Sequence, residues 1–320
     1  MNKDAKIYIA GHNGLVGSAI YRKLQSEGYT NLIVKTHSEL DLINQNDVNS
    51  FFEYEKPEYV FLAAAKVGGI GANSTYPADF IYDNTIIGFN VIHASYKAKV
   101  KKLLNLGSSC IYPKNTPQPI KEEYLLSGNL EPTNDAYAIS KISVIKLCTS
   151  YNKQYGTEYL SVMPTNLFGI GDNYNLENSH VLPALIRKFH DAKISGSDKV
   201  LLWGDGTPRR EFLFSSDLAD SLIMLMQNNS VIDISNSCGD FINIGSGKDI
   251  TIKELAEIIR DIVYEGLSRT CHIEWDTSKP NGTFQKLLDI SRITNLGFSP
   301  KINLKQGIKL TYQDFTKNNY

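Results

Sequence analysis

Short apolar runs alternate with amphipathic stretches over the first half of the chain. Runs of strand length lie at 6–10, 31–35, 59–63, 102–107 and 159–164. Between them, apolar residues recur at helical spacing over 14–27, 45–56, 82–98 and 136–155. Strand and helix in regular alternation predict a doubly wound parallel sheet with right-handed crossovers, an α/β fold. The rhythm breaks after Pro164, where residues 169–179, rich in Gly and Asn, read as a loop. A helix follows, with Val181, Leu182, Leu185, Ile186 and Phe189 on one face. Another over 216–227 is placed to return to the first domain, and the tail holds a strand at 241–244, a helix at 252–264 and a loop at 277–284. The expected division is a first domain over 1–166, rejoined at about 212–240, and a smaller α/β substrate domain over 167–320.

Composition narrows the function classes. The 320 residues carry 33 basic and 34 acidic side chains, so no basic surplus points to nucleic acid or to an anionic membrane surface. No apolar run approaches bilayer length, and the chain enters its first strand too early for a signal-peptide core. A cytoplasmic protein is expected. Cys110, Cys148, Cys238 and Cys271 are scattered without a CxxC, which predicts free thiols in a reducing compartment and no metal site.

Gly11, Gly14 and Gly17 follow the first predicted strand and open the first helix, with Asn13, Leu15 and Val16 between them. A glycine loop in this context lets the backbone turn tightly and approach a pyrophosphate, while the helix N-terminus offers free N–H groups to it. This is the arrangement of a Rossmann dinucleotide-binding domain. No Asp or Glu closes the second strand to read a free ribose 2′-hydroxyl. Lys35 and His37 stand there instead, which favours the 2′-phosphate of NADP over NAD.

Tyr137 and Lys141 share one face of a predicted helix at i, i+4. A YxxxK pair alone carries little. Here it follows a plausible capping segment at 132–135, and Ser108 ends a predicted strand, where ligands of open α/β sheets bind. An ammonium beside a tyrosine favours the phenolate and lowers the phenol's pKa, which makes Tyr137 a usable acid, and a serine hydroxyl can hold a substrate carbonyl.

The GxxGxxG spacing with Ser108, Tyr137 and Lys141 resembles the extended branch of the short-chain dehydrogenase/reductase family. Five further runs resemble its GDP-L-fucose synthase group: GSSCIYP at 107–113, PTNLFG at 164–169, SHVLPAL at 179–185, WGDGTPRREF at 203–212 and KPNGTFQKLLD at 279–289. The resemblance spans nearly the whole chain. It implies NADPH-dependent conversion of a GDP-4-keto-6-deoxy sugar, with epimerisation at carbons 3 and 5 followed by reduction of the 4-keto group. It implies Cys110 as the base and His180 as the acid, beside Ser108, Tyr137 and Lys141. Cofactor contacts are implied at Asp41 and Leu42, at Ala63, Ala64, Ala65 and Lys66, at Tyr137 and Lys141, and at Pro164, Asn166, Leu167 and His180. Substrate contacts are implied at Ser108, Ser109, Cys110, Asn166, His180, Val181 and Leu185, and for the nucleotide at Arg187 or Lys188, Trp203, Arg210 and Lys286.

Asn13 and His37 stand where many relatives carry arginines facing the 2′-phosphate, so weaker phosphate selectivity is expected. The sugar stays open between a hexose and a heptose, the latter with or without epimerisation. A catalytically silent dinucleotide sensor and a sugar-nucleotide epimerase or dehydratase that retains its cofactor are the other readings; Ser108, Tyr137 and Lys141 disfavour the first, Cys110 and His180 the second. Apolar residues on both predicted helices, Ile86, Ile87, Val91 and Ile92 with Ile142, Val144, Ile145 and Leu147, predict a homodimer through paired helices.

Overall fold

The computed structural model describes residues 1–176, 179–228, 234, 241–279 and 281–318; Cys238, Pro280 and residues 177–178 of the substrate-side loop lie outside the described residues. In chain order the strands are β1 (Ile7–Ala10), β2 (Leu32–Ile33), β3 (Tyr59–Leu62), β4 (Lys102–Leu106), β5 (Tyr159–Pro164), β6 (Asn166–Phe168), β7 (Lys199–Trp203), β8 (Arg209–Phe214), β9 (Phe241–Ile244), β10 (Asp249–Thr251), β11 (His272–Asp276) and β12 (Gln285–Lys286). The helices are α1 (Leu15–Ser26), α2 (Gln45–Glu55), α3 (Ile70–Thr75), α4 (Pro77–Lys97), α5 (Asp135–Tyr155), α6 (Val181–Ser195), α7 (Ser215–Asn228), α8 (Ile252–Val263), α9 (Ser291–Asn295) and α10 (Leu304–Asn318).

The main sheet has the order β2-β1-β3-β4-β5-β9, and every neighbouring pair runs parallel. Strands β1, β4, β5 and β9 are buried throughout, as a parallel sheet covered by helices requires. Alternation along β1 sends Ile7 and Ile9 into one core with Ile20 of α1 and Leu218 and Leu222 of α7. Tyr8 and Ala10 go to the opposite core with Val48 and Phe52 of α2 and Val91 of α4. On that side α4 and α5 approach so closely that a Cβ on Gly88 would lie 2.3 Å from Val144 Cγ2. The chain passes from β1 to β2 on one side and then to β3 on the other. The crevice beyond the carboxyl ends of β1 and β3 is therefore the switch point where such sheets bind ligands.

Two elements differ from the sequence expectation. β2 has two residues rather than five, because it is an edge strand with a single neighbour and Thr36 already enters a turn closed by Glu39. α4 begins at Pro77, five residues before the predicted start, since proline with its fixed φ suits the first helical turn.

Beyond β5 the chain leaves the main sheet. β6 pairs with β8, and β8 also pairs with β10 and β12, forming a second sheet. A separate apolar core packs behind it, holding Leu182, Leu185 and Phe189 of α6, Leu255 and Ile259 of α8, and Phe212 and Phe214 of β8. α7 and β9 belong to the first layer system: α7 packs on α1, and β9 pairs with β5.

Candidate active site

The glycine loop is built by close backbone contact. Gly11 sits at φ +85° against the β3 exit, where a Cβ would lie 2.7 Å from the Ala64 nitrogen. A Cβ on Gly17 would lie 2.1 Å from the Gly11 carbonyl oxygen. Gly14 is different: its Cβ would meet only the Gly11 oxygen, at 3.4 Å, and faces open space otherwise. Gly14 caps α1 with no side chain on the first N–H groups, and the first turn holds no acidic residue. The buried Nδ1 of His12 has no hydrogen-bond partner. Bare helical N–H groups, an open approach at Gly14 and an orphaned polar atom fit the diphosphate of a dinucleotide. Asn13 is exposed, and Leu15 and Val16 are half-buried in the first turn.

The region expected to read the ribose holds a carboxylate that the strand pattern did not reveal. Glu39 accepts hydrogen bonds from the Thr36 N–H (2.8 Å) and hydroxyl (2.7 Å) and lies 4.0 Å from Lys35 Nζ. His37 is exposed, with Nδ1 3.8 Å from Asp41. Asp41 also accepts from the Ile43 N–H, and the Leu42 side chain is buried in the core. Ala63 donates to the Ala10 carbonyl, and Ala64 and Ala65 continue past Gly11. Lys66 turns its ammonium to Asp83 (2.8 Å) and Asp79 (3.0 Å) on α4.

Ser108 follows β4 and caps the short turn Ser109–Ile111, its Oγ accepting from the Cys110 N–H at 3.2 Å. The same hydroxyl lies near enough to the Tyr137 phenol to favour its ionised form, so one serine stands between the thiol turn and α5. Ser109 is buried. Lys286 Nζ reaches Cys110 Sγ at 3.6 Å from β12. Burial opposes the thiolate, but Lys286, the Ser108 hydroxyl and Arg210 outweigh it and bring the Cys110 pKa below that of an ordinary thiol. Lys141 Nζ donates to the Leu106 carbonyl (3.0 Å) and lies 5.7 Å from the centre of the Tyr137 ring. Burial lowers its pKa to about 8.

One electrostatic expectation is corrected. Lys141 was expected to draw the Tyr137 pKa down. Burial, and then a charge on Cys110, instead push it above the ordinary phenol value; the nearby Ser108 hydroxyl opposes them. The ammonium lies across the ring and is held by a carbonyl, so it does little for the phenolate.

The remaining candidates divide between cleft and scaffold. His180 is the N-cap residue of α6, exposed, and the protein around its ring lowers its pKa. Among the described residues no hydrogen bond links it to Ser108, Cys110 or Tyr137. Pro164 ends β5, and Asn166 Nδ2 donates to the Glu211 carbonyl while Leu167 pairs with Leu213. Val181 is partly exposed, but Leu185 is buried in the second core. Arg187 pairs with Asp191 one turn along α6 at 2.8 Å, and Lys188 donates to the Leu201 carbonyl. Trp203 is 67% exposed at the end of β7 with Lys279 Nζ 5.6 Å from its ring centre. Arg210 is half-buried beside Cys110 and Gly282.

Sequence reasoning missed the segment that walls the cleft beside Cys110. Lys114, Gln118 and Glu131 line it together with Tyr112 and Lys286. Gln118 Oε1 accepts from the Leu287 N–H, and Ile120 N–H donates to the Leu287 carbonyl. The pairing joins segments far apart in sequence, and no periodicity marks either.

Residues 7–245 match the NAD dependent epimerase/dehydratase family. The chain is 55% identical over 318 residues to GDP-L-fucose synthase 1 of Arabidopsis thaliana, covering 99% of this chain and 95% of that one. It is 50% identical over 316 residues to GDP-L-fucose synthase of Escherichia coli (strain K12), covering 98% and 97%. Among solved structures, a GDP-mannoheptose C4 reductase from Campylobacter jejuni with NADP bound superposes with a TM-score of 0.90 at 44% identity, covering 99% of both chains.

Proposed function

The chain belongs to the NAD dependent epimerase/dehydratase family, and we propose that it is an NADPH-dependent epimerase–reductase of a GDP-4-keto-6-deoxy sugar, of the GDP-L-fucose synthase type. It epimerises carbons 3 and 5 and then reduces the 4-keto group. One observation carries the reading: Ser108 accepts from the Cys110 N–H and its hydroxyl stands near the Tyr137 phenol, so a carbon-acid base and a proton donor flank a single carbonyl-binding hydroxyl.

The chemistry follows from these groups. A 4-keto group acidifies the C–H bonds on both flanking carbons, because the electron pair delocalises onto oxygen as an enolate. Cys110 takes the proton on one ring face, and His180, at the start of α6, returns one on the other. The Ser108 hydroxyl and the Tyr137 phenol stabilise the enolate oxygen. Burial keeps the proton on Tyr137, so it is available to the C4 oxygen during reduction. NADPH bound along the glycine loop supplies the hydride. Arg210 and Trp203 are the remaining candidates for the GDP moiety, a cation for the diphosphate and an indole for base or ribose.

A second reading is a C4 reductase of a GDP-4-keto-6-deoxy-heptose, supported by the 44% identity to the GDP-mannoheptose C4 reductase. Incubation with hexose and heptose substrates in deuterated water separates the two. Deuterium at carbons 3 and 5 of the hexose product, lost in Cys110→Ser, supports the first. Reduction without deuterium at either carbon would leave a reductase only.

The protein works in the cytoplasm, where NADPH and nucleotide sugars are available and thiols such as Cys110, Cys148 and Cys271 stay reduced. It acts as a homodimer through α4 and α5. Val91, Ile92, Ile142, Val144 and Ile145 are buried within the subunit. Tyr82 and Phe89 are exposed on α4 two turns apart, and Ile139 is exposed on α5. Those three support the dimer.

A further inference from the structure

The resemblance gives Lys286 to the nucleotide, but its ammonium is directed at the thiol. β12 is two residues long and pairs in parallel with β8, in the register Lys286↔Arg210. Residues in register on neighbouring strands present their side chains to the same face. Both cations therefore face Cys110, and Lys286 is the nearer, at 3.6 Å from Sγ.

The backbone around Lys286 is anchored on both sides. Leu287 N–H donates to Gln118 Oε1 at 2.8 Å, and Leu288 N–H donates to Glu211 Oε2 at 3.0 Å. Ile120 closes the other edge, donating to the Leu287 carbonyl at 2.7 Å and accepting from the Asp289 N–H at 2.8 Å. A strand held this way presents its ammonium at a defined place before any substrate arrives.

We propose that Lys286 is a positioning residue for Cys110: its ammonium, seconded by Arg210, holds the thiol as a thiolate in the resting enzyme. The inference rests on the reading of Cys110 as the epimerisation base. In that step the substrate C–H bond breaks, an S–H bond forms, and the C–H electron pair passes to the enolate oxygen. The thiolate must exist beforehand, since a neutral thiol is no base for a carbon acid. The groups facing the sulfur are Lys286, Arg210, the Ser108 hydroxyl and the Tyr137 phenol. Lys114 and Glu131, in the same cleft, pair with each other at 3.1 Å. A thiolate at Cys110 also holds the proton on Tyr137 more firmly, so one charge readies the base and preserves the acid.

The test is the pH dependence of Cys110 alkylation by iodoacetamide in the full-length enzyme without substrate, followed on the Cys110 peptide by mass spectrometry. Lys286→Met should move the midpoint up by about one unit or more, with alkylation at neutral pH slowed several-fold. Lys286→Arg should keep the midpoint near that of the wild type. NADPH affinity reports that each variant is folded. An unmoved midpoint in folded Lys286→Met overturns the inference, and so does a midpoint in Lys286→Arg as high as in Lys286→Met. A midpoint that moves as expected supports it even where the wild type puts no solvent deuterium into substrate; that result would strike the epimerase reading instead.

Discussion

Glu211 Oε2 accepts the backbone N–H of Leu288 at 3.0 Å, with the glutamate wholly shielded from water. Its other oxygen accepts the Gly247 N–H at 2.7 Å. One carboxylate thereby ties β8, the turn after β9 and the strand carrying Lys286. Burial raises the Glu211 pKa even though these N–H groups pull it down. Glu211→Gln would turn an NH2 toward one of the two N–H donors and leave that donor unpaired. The expected loss is about 1–3 kcal/mol, read as a lower urea midpoint. An unchanged midpoint would show that the carboxylate is not holding this junction.

Two alanine substitutions in the glycine loop should separate folding from cofactor binding. At Gly17 the new Cβ meets the Gly11 carbonyl oxygen at 2.1 Å, so the loop must shift. Gly17→Ala should lower both Tm and NADPH affinity, with about 1–3 kcal/mol of overpacking. At Gly14 the nearest atom is 3.4 Å away, so Gly14→Ala should keep its Tm. Its methyl stands at the open helix terminus, and NADPH affinity should fall. Titration and thermal melts of both variants check this, and tight NADPH binding by Gly14→Ala would move the diphosphate elsewhere.

Lys141 gives the free enzyme a pH signature. Its pKa falls from an ordinary 10.5 to about 8 by burial, so between those values the unfolded chain binds more protons than the folded one. Stability therefore gains from this group as pH rises from about 8 to about 10.5, by up to about 3 kcal/mol. Lys141→Met should lack that gain. Urea unfolding of both proteins at pH 7.5 and 10 supplies the comparison, and parallel pH dependences would show an unshifted lysine.

The exposed residues on α4 and α5 predict an assembly defect. Phe89→Glu combined with Ile139→Glu should leave the subunit folded, because both side chains lie at the surface. Light scattering at micromolar concentration should then give the monomer mass where the wild type gives the dimer. Equal masses for the two proteins would place the interface, or the absence of one, elsewhere.

What the sequence determined by itself is local. The apolar run of β1, the helical spacing of Tyr137 and Lys141, and the three glycines at a strand-to-helix turn are set by neighbours within a few residues, and so could be read without coordinates. Family resemblance added the Cys110 and His180 runs. The tertiary structure decided where each side chain spends its interactions. It turned Lys66 onto two aspartates, Arg187 onto Asp191 and Leu185 into a core. It shortened β2 because an edge strand has one partner. It brought Lys286 to Cys110 across 176 residues, through the register of β12 on β8 and the Glu211 anchor. Neither the periodicity around residue 110 nor that around residue 286 encodes that distance. It arises only when the second sheet packs against the end of the first, because the same backbone hydrogen bonds that close the fold also fix which cation stands beside the thiol.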